Sequence, residues 1–300
     1  MSLSIGYLST TEYIMLGWSS LFSLPSSFSS DPLKDTFLLY KRVTEQYENA
    51  EILKKVRSLI PQDIVLQTTK EKEDSNIIVP LLKWFKNNFM KWTPKDPVCG
   101  MCINRTNGPP HISDSSGGGA SSRSVVVAKA ATPVMQVKKI IAGSSWKMHK
   151  VEVFGCNICN YEYTFPRYGE ILKIAETKTG RCSEWSMLFG AMLSSLGIKT
   201  RIVHDFLDHC WNEAMLSSCS PEGRRWIHVD STLGYPISLN HPYYYEENWG
   251  KEYQYVLAFT ADKVEDVTQL YTLKWETIQQ RRLKNKKNAI DFPKIYSGIP

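Results

Sequence analysis

The chain carries no Lys or Arg before Lys34, so it lacks both the basic start of a secretory signal and the arginines of a mitochondrial one. No run approaches the roughly 18 apolar residues of a membrane span, and no internal repeat marks a solenoid. Charge of one sign is also scarce. The 36 basic and 30 acidic residues leave +6 over 300 positions, too little to require nucleic acid as a partner. Seven cysteines cannot all pair within one chain, and four stand as two Cys-x-x-Cys pairs, which points away from a disulfide framework. These absences describe a soluble intracellular protein in a reducing compartment, with residues 1–36 unassigned and expected to be mobile. What is present, 42% hydrophobic and 12% aromatic residues, is enough to fill a sizeable core and excludes global disorder.

Apolar residues recur at helical spacing from Phe37 to Leu59 and stop at Pro61. A second apolar face, Leu81, Trp84, Phe85, Phe89 and Trp92, predicts a helix ending before Pro94. The stretch 103–145, with Gly117, Gly118 and Gly119 and many serines, reads as a flexible insertion. Its Asn104-Arg105-Thr106 has the form of a glycosylation acceptor, which an intracellular chain does not expose to that machinery. Downstream, KVEVFGC, TRIV, HCWNEAM, RRWIHVD and YVLAF read as strands. Between the first two, CSEWSMLFGAMLSSLG reads as a helix capped by Gly197. The basic group Arg281, Arg282, Lys284, Lys286 and Lys287 reads as a solvated helix end or a nuclear address.

Cys99 with Cys102, and Cys156 with Cys159, supply four thiolates in two short knuckles, the ligand set of a closed structural zinc site. The 53 residues between the pairs are tolerable because loop-closure entropy grows only with the logarithm of length. Four thiolates leave no open position, so such an ion holds the fold and does not activate water.

Cys182 stands in the first turn of its helix, where free amide N–H groups and the helix dipole favour a thiolate. A hairpin turn centred between Cys219 and Ser220 would set His209 opposite Asp230, Trp211 opposite His228 and Glu213 opposite Trp226. That register lets a carboxylate orient an imidazole beside a wall of aromatics, and a one-residue slip would destroy it. Cys182, His209 and Asp230 are therefore the candidate nucleophile, base and orienting acid. Cys210 and Cys219 read as structural or free.

The blocks GRCSEW, DHCWNE, RRWIHVDS and YYYEENWGKEYQYVLAF resemble, in that order, the cytoplasmic peptide:N-glycanases of the transglutaminase-like superfamily. LLKWFKNNFMKW and CNICNYEYTFPRY extend the resemblance over roughly Tyr40 to Arg282. It implies an α+β fold: a transglutaminase-like core of the papain-like cysteine protease type, with a helix-borne Cys packed on an antiparallel sheet, plus a zinc-binding lobe built on the four paired cysteines. The expected parts are 37–98 for the helical side of the core and 99–160 for the lobe, with insertion 103–145. The catalytic core then spans 161–282 and a basic tail 283–300.

The resemblance further implies an amidase that hydrolyses the glycosylasparagine bond of misfolded N-glycoproteins through a Cys182 thioester. It would work in the cytoplasm, and also the nucleus, beside proteasome-associated ubiquitin-shuttle proteins. Trp84 and Trp92 match family aromatics near the cleft, and with Trp211, Glu213 and Trp226 they are the candidate substrate contacts. Two departures stand out. His204 replaces a usual Trp, and Thr232-Leu233 replaces a usual Cys-Glu whose glutamate is implicated in holding the glycan. Rival readings are acyl transfer on glutamine by the same triad, or a non-catalytic interaction module.

Overall fold

The computed structural model describes residues 32–70, 75–102, 134–216, 225–284 and 291–299. The expectations for residues 1–31, for the Gly/Ser stretch 103–133 and for the hairpin loop 217–224 with Cys219 fall outside them. Helix α1 (Pro32–Glu45) and helix α2 (Ala50–Arg57) replace the single helix expected over Phe37 to Leu59. The break is local chemistry: Asn49 leaves the helix and its Oδ1 accepts from the backbone N–H of Glu51 and Ile52, each at 3.1 Å, which caps α2. After α3 (Gln62–Lys70), helix α4 (Ser75–Trp84) widens into a π turn over Phe85–Phe89. Met90 is extended, so Trp92 is not on the helix with Trp84. It lies on the short strand β1 (Lys91–Trp92).

Strands β2 (Met135–Ser145), β3 (Met148–Cys156) and β4 (Glu162–Tyr168) form an antiparallel sheet. Two expectations are corrected here. Residues 135–145 belong to a strand and not to a flexible insertion, because Met135 through Ser145 pair along β3. The lobe's sheet also runs past residue 160 to Tyr168, since β4 completes it. Helix α5 (Ile171–Thr177) and β5 (Thr179–Gly180), which pairs in parallel with β1, lead into α6 (Cys182–Ser195).

The second sheet joins β6 (Thr200–His204), β7 (Cys210–Leu216), β8 (Arg225–Val229), β9 (Leu257–Phe259) and β10 (Val264–Asp266) in the order β10-β9-β6-β7-β8, antiparallel throughout. Helix α7 (Tyr244–Trp249) lies between β8 and β9, and α8 (Trp275–Lys284) and α9 (Phe292–Ser297) follow. Alternation along the strands divides this sheet between two apolar clusters. Ile202, Ala214 and Phe259 join the large core around α6, while Val203, Trp211 and Ala258 join Tyr245, Tyr253 and Tyr271 on the other face. Among the described residues no helix is long and apolar enough to cross a membrane.

The register of β7 against β8 differs from the expected one. Glu213 faces His228 and Met215 faces Trp226, so the centre of the pairing falls one residue later in the chain. A turn-rich loop such as SSCSPEG does not fix its own centre by composition. A centre displaced by one residue offsets each pairing by two, which keeps every side chain on its face.

Candidate active site and metal centre

Helix α6 begins where three constraints meet. Arg181 is extended at its N-cap, its N–H donates to Glu184 Oε2 at 3.0 Å, and Cys182 is the first helical residue. A Cβ on Gly180 would stand 2.3 Å from Glu184 Cβ, so only glycine lets that glutamate fold back under the helix start. Arg167 of β4 then grips Glu184 with Nε at 2.6 Å and Nη2 at 3.1 Å. The same guanidinium donates to Glu152 of β3 at 2.9 Å and to Ser183 Oγ at 2.6 Å, while Arg181 reaches Glu152 at 2.9 Å.

His209 is delivered by the loop between β6 and β7. Asp205 Oδ1 accepts from the N–H of Leu207, Asp208 and His209 at 2.9, 3.1 and 2.9 Å, and its Oδ2 receives Lys251 Nζ at 2.9 Å. His209 Nε2 lies 2.7 Å from Asp230 Oδ2, both groups being buried. They stand just beyond the ends of β7 and β8, so they meet by side-chain reach and not as directly opposed partners. With Nε2 committed to Asp230, Nδ1 is the nitrogen left for Cys182, whose Sγ lies 3.7 Å from the carbonyl oxygen of Asp208 in the same loop. Asp230 Oδ1 is held separately by the N–H and Oγ1 of Thr232, at 2.8 and 2.7 Å.

The electrostatics suit a nucleophile. A hydrogen bond from the neighbouring Cys210 thiol does most to lower the Cys182 thiol far below its ordinary value, burial opposes it, and the bond and charge of His209 add to the lowering. Burial works against the imidazolium of His209, yet the Asp230 carboxylate and the Cys182 sulfur raise it to about 10. Burial would push Asp230 up, but His209 holds it well below the usual carboxylate range. Cys210 is itself pushed well up, first by burial. The result is a thiolate–imidazolium pair with a neutral thiol behind it.

A cleft of about 810 Å³ opens over Cys182 and His209. Its walls include Trp92, Lys150, Arg181, His204, Leu233 and Trp249. Trp92 and Trp249 are each nearly half exposed. The other expected substrate contacts are elsewhere. Trp84 packs on Phe89 at 4.8 Å beside the large core. Trp211 and Glu213 point to the sheet face opposite α6 and are fully buried, Glu213 binding Arg201 at 2.5 Å and the Tyr271 hydroxyl at 2.6 Å. Trp226 lies under the Arg201 guanidinium at 4.3 Å. The alternation that puts these residues on His209's face also turns them into the second core, away from the cleft. Both departures noted in the sequence line the cleft: His204, and Thr232-Leu233.

The sequence reasoning missed Asp205, Arg167, Glu184 and Tyr245, and it named Thr232 and His228 without foreseeing that Thr232 bonds Asp230 and His228 bonds Tyr245. Only the Asp205-x-x-Asp208-His209 spacing, suited to an Asx turn, offered a local signal for the first.

The Sγ atoms of Cys99, Cys102, Cys156 and Cys159 lie within 4.8 Å of one another and are not disulfide-bonded. Two edges measure 3.5 Å (Cys99 to Cys159) and 3.6 Å (Cys102 to Cys156). A tetrahedral ion with bonds of about 2.3 Å places its sulfurs about 3.8 Å apart, so the donor set fits a thiophilic cation. The N–H of Ile158 and of Cys159 lower the Cys156 thiol to about 6, which favours its ligand form.

Residues 136–231 match the profile of the transglutaminase-like superfamily. The chain carries a transglutaminase-like domain. Over most of its length it is similar to proteins named peptide-N(4)-(N-acetyl-beta-glucosaminyl)asparagine amidase. That of Caenorhabditis briggsae is 31% identical over 85% of this chain and 37% of the relative. That of Candida glabrata is 33% identical over 80% of this chain and 62% of the relative. The chain thus spans between about a third and two thirds of the length of these relatives. Among solved structures, a Rad4-Rad23 complex crosslinked to an undamaged DNA aligns with a TM-score of 0.46 and 11% identity, covering 99% of this chain and 57% of that one. The transglutaminase-like profile includes Cys182 and His209 and ends one residue past Asp230.

Proposed function

We propose that this chain is an amidase that cleaves the bond between an asparagine side chain and its N-linked glycan. One observation carries the reading: a thiolate at the start of α6 linked through His209 to the buried Asp230, at the floor of a cleft large enough for a sugar-bearing peptide. The similarity to relatives bearing that activity's name supports it.

Cys182 Sγ attacks the side-chain carbonyl carbon, and the tetrahedral intermediate collapses as the imidazolium of His209 gives its proton to the departing glycosylamine nitrogen. The C–N bond breaks and a thioester remains on Cys182. His209, now neutral, takes a proton from water, whose oxygen attacks the thioester carbonyl. Breakdown releases an aspartate side chain and restores the thiolate–imidazolium pair. The Cys182 backbone N–H, in the first turn where an amide has no intrahelical acceptor, is the oxyanion donor offered by α6.

The ion on Cys99, Cys102, Cys156 and Cys159 is zinc in this reading, bound by four thiolates and so structural. The substrates are misfolded N-glycoproteins in the cytoplasm and nucleus, handled beside ubiquitin-shuttle proteins. Leu233 gives its part of the cleft no carboxylate for sugar hydroxyls, so the glycan is held more by Trp92 and Trp249.

The test is glycan release from a denatured glycopeptide, with the Asn to Asp change read by mass spectrometry. Cys182→Ala should lower release by on the order of 10⁴-fold or more while the far-UV spectrum stays that of the wild type. An active Cys182→Ala protein would sink the mechanism. Amine incorporation into a glutamine peptide, without glycan release, would replace the reading with acyl transfer.

A further inference from the structure

We propose that Tyr245 and His228 are positioning residues that act on the catalytic pair through Asp230, the hydroxyl of Tyr245 setting the strength with which Asp230 holds His209. This rests on the amidase reading for its role in turnover, but not for its geometry. Asp230 Oδ2 is shared by two donors at equal distance, His209 Nε2 at 2.7 Å and the Tyr245 hydroxyl at 2.7 Å. The Tyr245 oxygen is in turn 2.7 Å from His228 Nε2. His228 Nδ1 accepts the backbone N–H of His241 at 3.3 Å.

The direction of every proton in this chain is fixed by what each group can do. A carboxylate only accepts, so Tyr245 must donate to Asp230. Its oxygen can then only accept from the imidazole, which requires the proton of His228 on Nε2. The His241 N–H, pointed at Nδ1, enforces that tautomer. Burial lowers His228 to about 4, so it stays neutral and the chain carries no second charge. Backbone N–H, imidazole and phenol therefore donate in one direction toward the Asp230 carboxylate, each polarising the next.

Helix α7 supplies two members of this shell. Tyr245 and Trp249, one turn apart, put their rings 5.2 and 5.0 Å from the His209 ring, and Trp211 stacks on it at 5.8 Å. The charged and titratable groups facing the pair are Cys182 and Arg167 from α6 and β4, His204 at the end of β6, Asp205 from the His209 loop with Lys251 bound to it from the segment after α7, Cys210 from β7, and His228 from β8. Among the described residues, only the Tyr245 hydroxyl shares Oδ2 with His209. Removing it takes the positive end of a dipole from the oxygen that faces the imidazolium. The negative potential over His209 and Cys182 then rises, and with it the proton affinity of both.

The experiment reads the pH profile of Cys182 alkylation by iodoacetamide in the full chain, with the modified peptide identified by mass spectrometry, beside kcat and KM for glycopeptide. Tyr245→Phe should move the acid limb of alkylation up by about half a pH unit and lower kcat about tenfold with KM within about twofold. His228→Leu, which removes the donor to Tyr245, should shift the limb in the same direction by less. His228→Gln, which keeps an N–H donor, should bring the limb back toward its wild-type position. An acid limb unmoved in both Tyr245→Phe and His228→Leu overturns the proposal and leaves the two residues as packing. If Tyr245→Phe does not fold, the His228 variants carry the test alone. A wild-type protein that gives the expected alkylation profiles but releases no glycan leaves this assignment standing and sinks the amidase reading instead.

Discussion

His209 and Asp230 are both buried, and each is kept charged by the other, so their ionisation is tied to the folded state. His209 is raised from its ordinary value near 6.5 to about 10, so the stability it contributes is fully present below about pH 6.5 and is lost as pH rises through about 10. Asp230 is depressed, so its contribution is present above its unfolded value near 4 and is lost as pH falls below it. The pair therefore stabilises most between about pH 4 and 6.5. Because the folded Cys182 thiolate offsets that proton until a free thiol itself ionises at about 8.5, the comparison is made without it. Urea unfolding midpoints should fall from pH 6 to pH 9 more steeply in Cys182→Ala than in Cys182→Ala with His209→Gln, which has no such group to titrate. Parallel slopes would mean that the imidazolium is not tied to folding. The separate hold of Thr232 on Asp230 Oδ1 makes Thr232→Val a milder test of orientation, since Nε2 bonds the other oxygen.

Helix α6 is where sequence and structure speak most nearly the same language. Its apolar spacing, its cysteine at the first turn and its stop at Gly197, which takes φ +83°, are all local features, and local features are what a sequence displays. The same reasoning failed where the decisive contact is distant. Trp92 leaves its helix because β1 pairs with β5, almost ninety residues away, and residues 135–145 become a strand because β3 is there to receive them. Trp211 and Glu213 share His209's face, but nothing local says that Tyr245 and Tyr271 roof that face over. The seat of α6 is equally non-local. The Tyr47 hydroxyl donates to Met187 O at 2.8 Å, and a Cβ on Gly190 would stand 2.5 Å from that hydroxyl and 2.9 Å from Asn212 Nδ2. Gly190→Ala should therefore lift the helix from its seat and destabilise the protein by about 1–3 kcal/mol in chemical denaturation. A change under a few tenths would show that Tyr47 gives way freely.

At the scale of the whole molecule, the four-cysteine cluster and the start of α6 are joined through one sheet. Cys156 ends β3, the strand that carries Glu152, and β4, paired to it, carries Arg167, whose guanidinium joins Glu152 to Glu184 under Cys182. An ion on the four sulfurs would fix the far end of that sheet, and the buried ion-pair cluster would pass the constraint to the start of α6. Elemental analysis of the purified chain should give about one zinc per molecule, held by the four thiolates. Stripping it with a strong chelator should lower the thermal midpoint, slow low-pH alkylation of Cys182 and reduce glycan release together, with all three restored by added zinc. Cys156→Ser should give the same three losses without a chelator. Arg167→Met, which leaves the four sulfurs untouched, should cost about 3–5 kcal/mol because it takes the guanidinium from two buried carboxylates and leaves Glu184 with only the Arg181 N–H and the Ser183 hydroxyl, and should slow alkylation in the same way. A metal that catalyses would behave differently: its removal would stop glycan release while leaving both the midpoint and the Cys182 alkylation rate in place, and that pattern would refute a structural role for the site.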